Sequence, residues 1–299
     1  MRAVWSFWSK PFYEARGWGW REPLHHLLAW GLSLRLACRH YSDTVLITDS
    51  AGKSLLVDRL GLSFTHVSTE LDRLQHADPG LWALGKLVAY SVQDKPFVHL
   101  DTDVFLWRPL PGRLVTAQVL AAHPEQWWAG DPSSGPRAIE EACAGAGVDL
   151  PAEWEWARSH WGEVMHEANC GIVGGTNIDF IQHYAGLALD LALSPRCSAA
   201  WEMVPNKAAL TTMIEQLTLA ACLEYHRSNP DSPFKGIHAR YLFPSMHAAF
   251  DPQYATRVGF THLLADSKAD GRVAQRLEAR VELEDPAFYR HCLALSGSM

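Results

Sequence analysis

Asp101 and Asp103 stand one residue apart in the run Phe97-Val98-His99-Leu100-Asp101-Thr102-Asp103. The four residues before them are short, β-favouring and largely apolar, as a buried strand requires. Carboxylates placed against a core need a partner, because burying an unpaired charge is expensive. A divalent cation fits that need. Mg²⁺ and Mn²⁺ take oxygen ligands, and Mg²⁺ commonly keeps one or two carboxylates while substrate phosphates and water complete the shell. The tripeptide is also compatible with a strand-end pair that caps backbone N–H groups or meets Arg108. Its placement between two apolar runs favours a metal–phosphate site at the edge of a sheet.

Periodicity supplies the scaffold for such a site. Ala3–Phe7, Thr44–Thr48 and Ser63–Val67 read as strands, and Leu24–Cys38 and Gly52–Leu60 as helices. Leu81–Ser91, a helix containing Lys86, leads into the strand that ends at Asp101. Alternating strands and helices predict an α/β fold: a doubly wound, mostly parallel sheet flanked by helices, with ligands outside the carboxyl ends of the strands. Asp49 ends the Thr44–Thr48 strand and would share that edge, either contacting a nucleotide or capping the next helix. From Val119 to His166 the pattern blurs into a Trp-rich insertion (Trp127, Trp128, Trp154, Trp156, Trp161), read as shaping a cleft and holding a helix between Arg137 and Ala144. Order resumes with a glycine-bounded strand in Ala168–Gly175, a helix over Ile178–Leu193, a second over Lys207–Tyr225 and a charged one near Arg272–Glu282. One domain, 1–299, is expected.

Composition narrows the function classes. A chain of 299 residues with 48% hydrophobic and 20% charged residues is a folded protein. A net charge of −7 argues against a nucleic-acid surface. Six cysteines without C-x-x-C spacing suggest free thiols, a reducing compartment and hence the cytoplasm. No signal peptide or transmembrane segment is expected, which leaves peripheral contact as the mode of any membrane association. Thirteen tryptophans, against about four at background usage, offer flat platforms for sugar rings. Trp8, just after the first strand, is placed among the donor-binding candidates.

With the Lys86 helix, the strand FVHLDTDVFL and the acidic pair in view, the chain resembles the nucleotide-sugar glycosyltransferases of the GT-A fold. Ala168-Asn169-Cys170-Gly171-Ile172-Val173-Gly174-Gly175 is similar to the N-(S/A)-G-(V/I/L) strand of the retaining, glycogenin-like family (glycosyltransferase family 8). Thr261–Lys268 is similar to that family's His-x-x-Gly-x-x-Lys segment, with Ala265 in place of the glycine and Ala269-Asp270 in place of the Pro-Trp that often follows. Glu215-Gln216 resembles the family's Asp-Gln pair.

The resemblance implies that Asp101, Asp103 and His262 hold Mn²⁺ or Mg²⁺, with Asp103 the main ligand and Asp101 nearer the sugar nucleotide. It implies that Lys268 contacts the diphosphate, that Lys86 contacts the donor or an aspartate near the metal, that Asn169 and Gly171 approach the sugar, and that Glu215 and Gln216 bind hydroxyls of donor or acceptor. Residues 1–118 would form the nucleotide-binding half and 119–299 the acceptor- and sugar-binding half. The implied activity is hexosyl transfer from a nucleotide diphosphate sugar, such as a UDP-sugar, to a carbohydrate or other hydroxyl acceptor, with retention. The alternatives are metal-dependent nucleotidyl or phosphoryl transfer, for which no G-x-x-x-x-G-K-[ST] loop occurs, and a non-catalytic carbohydrate- or nucleotide-binding protein.

Overall fold

The computed structural model describes residues 1–14, 19–131 and 136–298. Its strands, in chain order, are β1 (Arg2–Phe7), β2 (Thr44–Thr48), β3 (His66–Ser68), β4 (Phe97–Leu100), β5 (Val104–Leu106), β6 (Val119–Ala121), β7 (Pro124–Trp128), β8 (Val164–Ala168), β9 (Ile172–Gly175), β10 (Ala239–Tyr241) and β11 (Phe260–His262). Seven form the central sheet in the order β10-β6-β9-β4-β1-β2-β3. Every pairing in it is parallel except those of β9, which runs antiparallel to both β4 and β6. The sheet therefore draws strands from both sides of residue 118. Two antiparallel ribbons, β5–β11 and β7–β8, extend from it.

Alternation along each strand sends side chains to two cores. Ala3, Trp5 and Phe7 of β1 face one and Val4 faces the other; Val98 and Leu100 of β4 oppose Phe97 in the same way. One face is covered by the Pro23–Ala37 helix, which packs on the C-terminal helices Gly271–Glu284 and Pro286–Ser296. Pro23 suits that helix's first turn, where no backbone donor is lost. Gly31 lets it approach closely, since a Cβ there would overlap the Phe288 ring. The other face carries the helices Leu84–Ser91 and Ile178–Leu193, packed against each other. Each large apolar side chain taken fully out of water here contributes about 1.5–3 kcal/mol.

The structure departs from the periodicity reading where local signals were weakest. The third strand lies at His66–Ser68 rather than Ser63–Val67, and the Leu81–Ser91 helix starts at Leu84. The Val119–His166 stretch is more regular than expected: it contains β6, β7, the start of β8 and a helix over Ala152–Trp161 besides the Arg137–Gly145 helix. Ala168–Gly175 is split, because Ala168 ends β8 and only Ile172–Gly175 pairs in the central sheet. Gly174 and Gly175 are required there. A Cβ on Gly174 would overlap the carbonyl oxygen of Phe97 in β4, and one on Gly175 that of Gln118 just before β6. The expected Lys207–Tyr225 helix is a chain of Lys207–Thr212, a π-helical turn over Met213–Leu217, and Thr218–Ser228. The six cysteines are free, and all but Cys38 are buried. No helix among the described residues is long and apolar enough to cross a membrane.

Candidate active site

The antiparallel insertion of β9 explains how distant segments meet. Because β9 runs against β4, the residues just before it lie beside the carboxyl end of β4, and Asp101 N–H donates to the Gly171 carbonyl at 3.0 Å. The chain turns at Asp101–Asp103 and enters β5, whose antiparallel partner β11 sets His262 opposite Val104. Leu263 N–H donates to the Asp103 carbonyl at 3.0 Å, fixing that register next to the acidic pair. A Cβ on Gly171 would overlap the His262 ring, so glycine there is what admits the imidazole.

Each aspartate has its own lysine. Lys86 Nζ lies 2.9 Å from Asp101 Oδ1 and 3.0 Å from Glu215 Oε1, and donates to the Cys170 carbonyl at 3.0 Å. Lys268 Nζ lies 2.5 Å from Asp103 Oδ2. His262 Nε2 is 3.5 Å from Asp103 Oδ1 and 4.0 Å from Asp101 Oδ2. Burial opposes the charge on Lys86, but Asp101 and Glu215 outweigh it and raise the ammonium pKa, so Lys86 is a permanent cation. Burial also works to raise Asp103, but Lys268 and His262 prevail and hold its carboxyl well below the usual carboxylate range. For Asp101, burial and the Asp103 charge outweigh Lys86, and its carboxyl is pushed up. The two acids therefore differ: Asp103 is firmly ionised, while Asp101 relies on Lys86.

A cavity of about 660 Å³ opens over this pair. Its lining includes Trp8, Lys86, Asp101, Asp103, Asn169, Gly171, Gln216, His262 and Lys268, all anticipated from the sequence. Two anticipated residues are turned elsewhere. Asp49 does not line the cavity. Its Oδ2 accepts from Ser9 N–H and Oγ–H at 2.8 and 2.9 Å, and its Oδ1 accepts from Gly52 N–H at 2.6 Å, so it caps the Ser50–Lys53 helix and ties it to the end of β1. Glu215 is fully buried behind Lys86 and accepts from the Tyr90 hydroxyl at 2.5 Å, while its neighbour Gln216 faces the cavity. The π-helical turn at this point sets how the two residues divide, as such turns often do at functional sites.

Several residues of the site carried no signal strong enough to single them out. Trp20 and Trp82 join Trp8 in the wall, whereas none of the five tryptophans of the 119–166 stretch does. Lys268 Nζ sits 5.9 Å from the Trp20 ring centroid, a cation–π contact. His26 also lines the cavity. Its Nε2 accepts from Trp30 Nε1–H at 3.0 Å, and burial, helped by Lys268, lowers its pKa to about 3. It is therefore neutral, with the proton on Nδ1, which has no partner of its own. Beneath Asp101, His99 Nε2 meets Ser6 Oγ at 2.9 Å, and burial with Lys86 keeps that ring uncharged. The two-residue spacing of His99, in β4, and Asp101, just past its end, was the available clue.

Asn169 is held from behind. Its Nδ2 donates to Glu125 Oε1 at 2.9 Å and its Oδ1 accepts from Gly171 N–H at 3.1 Å. Glu125 sits opposite Glu167 across β7–β8, and both are buried. Burial and the Glu125 charge push the Glu167 carboxyl up to about 8.

Asp101, Asp103 and His262 bring their nearest ligand atoms within 4.8 Å of one another. Two carboxylates and an imidazole form a donor set suited to Mn²⁺ or Mg²⁺ with coordination positions left for phosphate and water. The spacing is wide enough for an ion to draw the three together.

The chain matches the model of a family of unknown function (DUF6734) over residues 1–295 and belongs to that family. No curated protein matches it. Among solved structures it is similar to the galactosyltransferase LgtC in complex with donor and acceptor sugar analogs, at 13% identity and a TM-score of 0.40, over 93% of this chain and 94% of that one. So loose a likeness carries no argument about chemistry; the side chains of the cavity do.

Proposed function

We propose that this protein is a metal-dependent glycosyltransferase of the GT-A type, moving a sugar from a nucleotide diphosphate sugar, a UDP-sugar by preference, to an acceptor hydroxyl. One observation carries the reading: Asp101, Asp103 and His262, from segments far apart in the chain, converge with Lys86 and Lys268 on one indole-walled cavity. Asp101, Asp103 and His262 would hold Mn²⁺ or Mg²⁺, which when bound supplies Lewis-acid stabilisation of the departing diphosphate. Lys268 exchanges its ion pair with Asp103 for a phosphate oxygen and so adds positive charge where negative charge develops. Lys86 stays on Asp101 and Glu215 and opposes the burial that pushes the Asp101 carboxyl up. Gln216 binds donor or acceptor hydroxyls, and Asn169 presents its remaining amide N–H to the sugar. Trp8, Trp20 and Trp82 shield the site from water and give sugar rings an apolar face.

Retention is proposed from the sequence resemblance. Among the described residues, the acids that line the cavity are Asp101 and Asp103, each paired with a lysine, and Glu14 at the exposed rim. A cytoplasmic location is proposed from the free cysteines.

Thermal unfolding with UDP, GDP and the other nucleoside diphosphates, each with and without Mn²⁺, tests the reading. A rise in Tm that needs both nucleotide and metal is expected; its absence for every nucleotide would sink the proposal. The lysine pairing of both aspartates favours one rival, a binding protein whose site is satisfied without metal. Hydrolysis of a panel of nucleotide sugars separates enzyme from binder, and the anomeric configuration of the product by NMR decides retention.

A further inference from the structure

A second cluster of ligand-type side chains lies between helices, and none of its members lines the cavity over the aspartates. Glu153 is in the first turn of the Ala152–Trp161 helix, His183 in the Ile178–Leu193 helix and His226 near the end of the Thr218–Ser228 helix. Glu153 Oε1 is 3.0 Å from His183 Nε2 and 3.3 Å from His226 Nε2, and the two Nε2 atoms are 3.0 Å apart. Three ligand atoms thus form a nearly equilateral triangle.

Protons alone cannot satisfy this triangle. Each edge needs one hydrogen, and each Nε2 carries at most one. With one proton on the pair of rings, one edge sets lone pair against lone pair. With a proton on each ring and both aimed at Glu153, the N···N edge sets two N–H groups against each other at 3.0 Å. A cation at the centre satisfies all three edges at once. At metal–ligand distances of about 2.0–2.1 Å, tetrahedral coordination places ligand atoms about 3.3 Å apart, close to what is found.

The surroundings support the same assignment. Glu153 and His226 are buried, and His226 Nδ1 lies 2.7 Å from Ser232 Oγ, itself anchored by the Phe234 N–H at 2.9 Å. A metal-bound imidazole characteristically donates its other N–H to such a fixed acceptor, which sets the tautomer and orients the ring. Phe234 packs 5.2 Å from both imidazole centroids and Phe180 packs 6.0 Å from that of His226, excluding water on that side. The His183 side chain is 35% exposed, so solvent reaches the cluster at that residue.

We propose that Glu153, His183 and His226 form a Zn²⁺ site of the His₂Glu type, joining three helices. Two imidazoles and one carboxylate select Zn²⁺ over the hard, all-oxygen preference of Mg²⁺. The site is independent of the sugar-transfer reading.

The test uses full-length protein stripped of metal by chelation, in an Asp103→Ala/His262→Ala background that silences the sheet-edge site. Titration with ZnCl₂ is expected to give one equivalent bound with a Kd tighter than about 1 μM, and Co²⁺ the intense visible bands of tetrahedral coordination. His183→Ala, checked by circular dichroism for an intact fold, should abolish that equivalent. Ser232→Ala should retain it with affinity weakened about 10- to 100-fold. If His183→Ala does not fold, the Zn²⁺-induced rise in Tm of the background protein and its reduction in Ser232→Ala carry the test. No saturable Zn²⁺ binding in the background, or an equivalent that survives His183→Ala, overturns the proposal.

Discussion

Two groups of buried and half-buried acids, linked through Asn169 and Gly171, are neutralised in opposite ways. At the end of β4, Asp101, Asp103 and Glu215 are covered by Lys86 and Lys268, with His262 alongside. On the β7–β8 ribbon, Glu125 and Glu167 face each other, and the partners of Glu125 are the Asn169 amide and Trp127 Nε1–H, with His123 at 3.5 Å. Burial depresses the His123 pKa to about 4, so that ring brings no charge at neutral pH. The first group is neutralised by cations and the second by a proton on Glu167. Cations keep carboxylates ionised and ready to exchange a lysine for another positive charge. A proton only removes a cost, and leaves Glu125 free to hold Asn169 in place. Buried acids alone therefore do not single out a candidate site; what compensates them separates the two groups.

The largest expected effect tests the cation-neutralised group. Asp103→Ala should abolish the metal-dependent rise in Tm with nucleoside diphosphate and lower kcat/KM for sugar transfer by about 10³-fold or more. Full retention of both would remove Asp103 from the centre of the site. Next, Lys86→Met leaves the buried Glu215 and the half-buried Asp101 without their cation and should cost about 3–5 kcal/mol in urea unfolding. Burial already holds the Asp101 and Glu215 carboxyls above their ordinary range. Without Lys86 they rise further, so the deficit should be smaller at pH 5 than at pH 8. A deficit independent of pH would show that packing, not charge, is what Lys86 supplies.

The proton-neutralised group gives the complementary result. Glu167 has a folded-state pKa of about 8 against 4.5 for the free side chain. The native state therefore holds a proton that the unfolded chain releases across that window, so this residue's contribution is fully present below pH 4.5 and is lost as pH rises towards 8. Glu167→Gln should remove that slope and gain about 1–3 kcal/mol over the parent at pH 8.5 relative to pH 5, read from urea midpoints. Unchanged slopes would mean that Glu167 is already ionised. A smaller effect is expected from Gln216→Ala: KM for donor or acceptor should rise about 10-fold, roughly 1.4 kcal/mol, with Tm unchanged. The smallest is Asp49→Ala. As a helix cap it should cost about 1 kcal/mol of stability and leave nucleotide affinity intact, whereas a loss of affinity without one of stability would restore it to the donor site.

Much of the scaffold was legible because its signals are local. The apolar runs of β1, β2 and β4, the Ile178–Leu193 helix and the strand-end position of the acidic pair follow from periods of 2 and 3.6 residues. The ribbon β7–β8 was missed because Pro124–Trp128 is largely exposed and lacks a clean alternation. Trp20 and Trp82 were missed because nothing in their neighbours distinguishes a wall tryptophan from a core one. Glu215 and Gln216 were marked as a pair, yet only their position in a π-helical turn determines that one is buried on Lys86 and the other faces the cavity.

The amino-acid order alone was enough to locate the carboxylates, since a strand's end is written in the residues that form it. It also identified His262 and Lys268 through their resemblance to a known segment. That these groups meet is a property of the folded sheet. The antiparallel pairing of β11 with β5 brings His262 to Asp103, and the antiparallel entry of β9 beside β4 brings Asn169 and Gly171 to Asp101. Strand register between distant segments depends on the packing of the whole sheet, and no local period encodes it.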